Sequence, residues 1–166
     1  MINEQELMQS IDNFLSENKE AMLADLKTLI GQPSVRGEAA PGAPYGTDVN
    51  AALEKALAIA RRMGLETENC AGNIGWADLP GKSKKQIATI THLDVVPAGN
   101  GWTSDPFEMI VKDGCVIGRG TLDDKGPAVL TLYIAKFFKE RGEQLPYTLR
   151  LLFGTDEETG MEDVEW

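Results

Sequence analysis

The chain has 166 residues, 42% of them hydrophobic and 25% charged, which suits one globular domain with its own core. Its 26 acidic residues outnumber 16 basic ones, for a formal net charge of −10, and no basic stripe runs along it that would track a nucleic-acid backbone. No apolar run approaches the roughly 18–20 residues of a membrane helix, the polar N-terminus lacks the basic start and apolar centre of a secretory signal, and two cysteines are too few for a disulfide scaffold and fit a reducing cytoplasm.

The first 30 residues carry Ile11, Phe14, Leu15, Met22, Leu23, Leu26, Leu29 and Ile30 at helical spacing, and Gly31 and Pro33 end that run. Residues 31–46, rich in glycine and proline, read as a surface loop. A second helix is expected from Thr47 or Asp48, either of which suits the cap, to Met63, with Gly64 as its stop. Strands follow at Leu65–Asn69 and Ile74–Leu79, then a turn at Pro80-Gly81; the basic cluster Lys82-Ser83-Lys84-Lys85 reads as a solvated turn. The apolar run in Gln86–Thr91 predicts a buried central strand ending at His92. Phe107–Val111 and Cys115–Gly118 flank Lys112-Asp113-Gly114 as a hairpin, a third helix runs from Lys125 to Arg141, and Tyr147–Phe153 is a second buried strand ending at Gly154. Helices alternating with strands across long crossovers predict an α/β fold, three layers α/β/α around a largely parallel sheet. Ligands collect beyond the carboxyl ends of such strands.

Three segments sit at those ends: His92-Leu93-Asp94, Asp123-Asp124-Lys125-Gly126 and Asp156-Glu157-Glu158-Thr159-Gly160. One imidazole with several carboxylates is the donor set of a zinc or manganese hydrolase, with a spare carboxylate to act as base. A lone histidine is more often structural than ligating, but Asp94 lies two residues on, where it reaches the ring nitrogen turned away from a metal and fixes the tautomer. Asp123-Asp124 also reads simply as the acidic start of a helix. A phosphate loop does not fit, because the Walker spacing is absent and adjacent carboxylates repel phosphate. Glu157-Glu158 follows a buried strand, and neighbouring glutamates can divide the work of ligand and base.

Read in order, these segments resemble a known family. Ser34-Val35, Thr91 to Pro97, Gly101-Trp102 with Asp105-Pro106-Phe107, Gly118 to Pro127 and Gly154 to Gly160 are similar to the di-zinc metallopeptidases that include aminoacylase, carnosinase, succinyl-diaminopimelate desuccinylase and glutamate carboxypeptidase, and most of all to the PepV-type bacterial dipeptidases. The resemblance implies a phosphorylase/hydrolase-like catalytic domain and hydrolysis of the amide bond of dipeptides with a free amino end. It implies His92 as a metal ligand oriented by Asp94, Asp123 as the bridging ligand ahead of a cis peptide, Glu157 as general base and Glu158 as ligand of a second metal. Two Zn2+ ions per complete site are implied, with Mn2+ or Co2+ accepted by the same donors.

Two further ligands of that family, an acidic residue and a histidine, have no counterpart here, since His92 is the sole histidine. The reading of residues 1–166 is therefore the N-terminal portion of a catalytic domain whose remainder, with its lid or dimerisation domain, is absent. Such a piece is expected to be incomplete and inactive, to hold metal weakly or leave its site empty, and to self-associate through an unpaired sheet edge. Two other readings remain: a deacylase or desuccinylase acting on N-acyl amino acids, and a non-catalytic binding or assembly module.

Overall fold

The computed structural model describes residues 3–165. Its elements in chain order are α1 (Glu4–Ile30), α2 (Thr47–Arg62), β1 (Glu66–Cys70), β2 (Ile74–Leu79), β3 (Gln86–His92), β4 (Ile110–Lys112), β5 (Cys115–Ile117), α3 (Lys125–Glu140), β6 (Thr148–Gly154) and a 3-10 turn at Glu162–Glu165. No helix among the described residues is long and apolar enough to cross a membrane.

Local chemistry explains most of these boundaries. A capping box starts α1: Glu6 N–H donates to Asn3 Oδ1 at 2.8 Å, and Asn3 N–H donates to the Glu6 carboxylate at 3.2 Å. The expected cap of α2 by Thr47 or Asp48 is corrected. Gly46 caps that helix at φ 107° with no side-chain bond, because the chain enters it where a Cβ on Gly46 would stand 2.8 Å from Gly37 N. The β4–β5 hairpin turns at Asp113 and Gly114, whose φ angles of 52° and 77° give the twist a two-residue turn needs.

The main sheet has the order β1-β2-β6-β3. The expectation of a largely parallel sheet is corrected: β1–β2 and β2–β6 are antiparallel, and only β3–β6 is parallel. The tight turn at Ala71-Gly72, with φ of 54° and 78°, makes β1 and β2 a hairpin, whereas β3 and β6 are joined through the long crossover that holds α3. The expected burial of Gln86–Thr91 is corrected too. β3 is an edge strand, with Ile87 57% and Ile90 60% exposed. Buried residues of all three helices gather with Ala77, Leu151 and Phe153, which share one face of the sheet, and a Cβ on Gly75 would strike Leu53 and Leu57 of α2. On the other face Arg150 pairs with Asp78 at 2.8 and 2.7 Å and stacks 4.4 Å over the Trp76 ring. The described residues thus form two layers where three were expected.

Three chain ends meet at one corner of this arrangement. β3 ends at His92, β6 ends at Gly154, and Leu93 N–H donates to Gly154 O at 2.9 Å across them. The start of α3 is tied to the end of α1 by Lys125, which is fully buried and donates to Leu29 O at 3.0 Å and Gln32 O at 2.7 Å. Burial, helped by the charge of Lys55, pulls its ammonium down to about 7. The Asp123–Asp124 peptide is cis. Gly126 packs so closely under this turn that a Cβ would lie 2.0 Å from Thr121 O.

Gly126→Ala should therefore destabilise the fold by about 1–3 kcal/mol, the usual cost of overpacking, read as a lower urea midpoint at unchanged slope. An unaltered midpoint would mean that the turn below Asp123 yields freely.

Candidate metal centre

His92 is the hub. It is 8% exposed, and every ring and main-chain polar atom that faces the site has a partner. Nδ1 lies 3.2 Å from Asp94 O and 3.4 Å from Asp94 Oδ1. Nε2 lies 2.9 Å from Asp123 Oδ1 and 3.7 Å from Glu157 Oε2. Its main-chain N–H donates to Asp124 Oδ2 at 3.1 Å, so the second aspartate of the pair holds the end of β3 while the first faces the ring.

The ligand atoms of His92, Asp123 and Glu158 lie within 4.8 Å of one another. An imidazole nitrogen with two carboxylates is a donor set that fits zinc, and manganese or cobalt as well. Asp94 connects this group to the third segment. Its carboxylate, in a residue 1% exposed, accepts Glu157 N–H at 3.2 Å on Oδ1 and Glu158 N–H at 3.0 Å on Oδ2. All five residues singled out in the sequence, His92, Asp94, Asp123, Glu157 and Glu158, are brought to this corner.

Its electrostatics favour a cation. Burial opposes a charge on His92, but hydrogen bonding and charge from Asp94, then Asp123, outweigh it and push the ring up to about 9. Burial, then the charge of Asp123, raises the Glu158 carboxyl above its ordinary range. Burial likewise raises Asp124, against the lowering effect of its bond from His92 N–H. Carboxylates crowded in this way repel, and a bound cation relieves the repulsion.

Sequence reasoning missed the supports beneath these side chains. Asp163 is buried, and its Oδ2 accepts the N–H groups of Thr155 at 2.6 Å and Asp156 at 3.1 Å. Asp156 is fully buried and bonded to Arg36 at 2.5 Å. Asp156 stood next to the chosen glutamates, but nothing in local spacing distinguishes it from a solvated acid. Arg36 is 120 positions away and carries no local signal.

Residues 88–165 match the model of peptidase family M20/M25/M40. The chain belongs to that family. It is 38% identical over 152 residues to YtjP of Bacillus subtilis (strain 168) and 38% identical over 151 residues to the Beta-Ala-Xaa dipeptidase of Lactobacillus delbrueckii subsp. lactis. In both cases the match takes in 89% of this chain and 32% of the relative, so this M20 chain spans about a third of their length. Human carnosine dipeptidase 1 has the same fold over 95% of the chain and 36% of its own, with a TM-score of 0.79 at 21% identity.

The M20 chain has a single histidine, which makes its titration directly visible. In metal-free protein the His92 ring resonances should titrate near pH 9, and Asp94→Asn should move the midpoint down. Because the folded value lies above the ordinary value of about 6.5, the stabilisation from this ring is complete below about pH 6.5 and lost as pH rises through about 9. A zinc ion taken up at the His92 ring would displace the same proton, so its uptake should weaken as pH falls below about 9. NMR midpoints near 6.5 in both proteins would contradict this account.

Proposed function

We propose that this chain supplies three metal ligands and the general base of a two-metal dipeptidase, as part of a longer parent enzyme. The observation that carries the proposal is the His92–Asp123–Glu158 cluster with the Glu157 carboxylate 3.7 Å from the His92 ring. The substrate class rests on a relative whose name specifies dipeptides.

In this reading His92, Asp123 and Glu158 would hold zinc, with Asp123 as the ligand common to a two-metal site. The bound metal would supply Lewis acidity toward the scissile carbonyl and a more acidic water. The chain's own residues do the rest. Asp94 keeps the His92 proton on Nδ1, leaving Nε2 free to ligate. It also fixes Glu157 through the main-chain N–H. The Glu157 carboxylate, half exposed, takes a proton from the attacking water and returns it to the departing nitrogen. One C–O bond forms, the amide C–N bond breaks, and two amino acids leave.

Three ligating residues gather among the described residues, fewer than two ions require. In this reading the remaining ligands, and the surfaces that select the side chains of the dipeptide, come from other parts of the parent, and the chain alone does not turn over.

Calorimetric titration with zinc, paired with a dipeptide hydrolysis assay on the same samples, tests both parts. Weak zinc binding that falls about 10-fold or more in Glu158→Gln, with no hydrolysis, is the expected result. Zinc binding indifferent to Glu158→Gln would overturn the ligand assignment. A zinc-dependent rate abolished by Glu157→Gln would overturn the view that these ligands do not suffice.

A further inference from the structure

The segment Ser34-Val35-Arg36 lies outside the ligand set, yet it touches both strand-end turns that carry it. Ser34 is fully buried; its hydroxyl donates to Leu93 O at 2.6 Å, and its own carbonyl accepts Val95 N–H at 3.0 Å. This pair of bonds grips the main chain on either side of Asp94. Two residues on, Arg36 Nη1 donates to Asp156 Oδ1 at 2.5 Å and to Thr159 Oγ1 at 3.2 Å. Asp156 immediately precedes Glu157.

Asp156 organises the turn that follows it. Its main-chain carbonyl accepts the N–H groups of Gly160 at 3.1 Å and Met161 at 2.8 Å, its Oδ2 accepts Glu162 N–H at 3.2 Å, and its Oδ1 accepts the Thr159 hydroxyl at 2.5 Å. A fully buried carboxylate needs a compensating charge, and Arg36 is the cation bonded to it among the described residues. The guanidinium is held in place by the Tyr45 ring, 5.1 Å below it, and by Glu162 at 3.7 Å. Arg36 is itself 37% exposed at the side chain, so it is anchored at the surface and acts inward.

We propose that Ser34–Arg36 is a strap that sets the spacing between the His92 turn and the Glu157–Glu158 turn, with Arg36 as its positioning residue. Arg36 touches no ligand atom; it neutralises Asp156 and so fixes the loop from which Glu158 reaches His92 and Asp123. The metal-affinity arm rests on the site proposed above. The loop-order arm does not.

The test compares wild type, Arg36→Met, Arg36→Lys, Asp156→Asn and the double variant Arg36→Met/Asp156→Asn, each metal-free and with zinc. Amide hydrogen exchange should speed up about 10-fold or more at Gly160, Met161 and Glu162 in Arg36→Met, with exchange in β6 unchanged. Zinc affinity should fall about 10-fold, the range typical of groups behind the ligands. Arg36→Lys should recover part of both losses. The double variant should lie closer to wild type than Arg36→Met, since a neutral amide at 156 no longer needs the cation. Unchanged exchange at 160–162 in Arg36→Met would overturn the strap. So would faster exchange with full zinc affinity, which would make Arg36 a local brace only. Zinc that fails to bind wild type would count against the site itself, and the exchange measurement would still decide the strap.

Discussion

The buried carboxylate of Asp94 joins the two halves of the site. One side of it lies against His92 Nδ1, and its two oxygens accept the consecutive main-chain N–H groups of Glu157 and Glu158. A charge-assisted bond to an N–H is about twice as strong as a neutral one, and two from adjacent residues fix the orientation of the loop as well as its distance. The tautomer of the histidine and the placement of Glu157 and Glu158 therefore depend on the same group. Removing its charge would disturb ring and loop together.

Around this pivot the protein concentrates negative charge where burial makes it expensive. Asp94, Asp156 and Asp163 are each at most 1% exposed. Main-chain N–H groups satisfy Oδ2 of Asp163, whose Oδ1 is buried without a partner among the described residues, the imidazole and N–H groups compensate Asp94, and a guanidinium compensates Asp156. What stays short of positive charge is the outer ring of Asp123, Glu157 and Glu158, three carboxylates that share the one imidazole of His92. The raised carboxyl of Glu158 and the raised imidazole of His92 both express that shortage of positive charge. In the proposed site, stability and affinity pull in opposite directions: the proton on His92 steadies the metal-free fold, and a metal bound there would have to evict it.

Much of this was legible in the sequence, for identifiable reasons. The three helices have apolar stripes and clear stops, so their bounds fall within a few residues of expectation. The site residues stand at element ends, where alternation of helix and strand had already placed them. Strand direction and burial were not legible. The run Ile87-Ala88-Thr89-Ile90 has the composition of a buried strand, and composition cannot reveal that β3 lies at an edge. The start of α2 at Thr47 was legible, but its cap was not, because the constraint on Gly46 comes from Gly37, nine residues earlier, through a close backbone approach with no local mark. Arg36 escaped for the same reason: its meaning lies in a partner 120 positions away.

The sheet that departs most from expectation is also the one the proposed chemistry needs. Of its three pairings only β3–β6 is parallel, and its register sets His92 opposite Gly154. Parallel strands in register bring both carboxyl ends to the same edge, so the residues just beyond them, Asp94 and Glu157, meet directly. Had β3 run antiparallel to β6 with the same overlap, seven residues at about 3.3 Å each would have left the two turns about 20 Å apart. The remaining pairings end in none of the proposed site residues and are free to be antiparallel. A mixed sheet is thus enough, provided its one parallel pair is the pair that ends in the histidine and the glutamates.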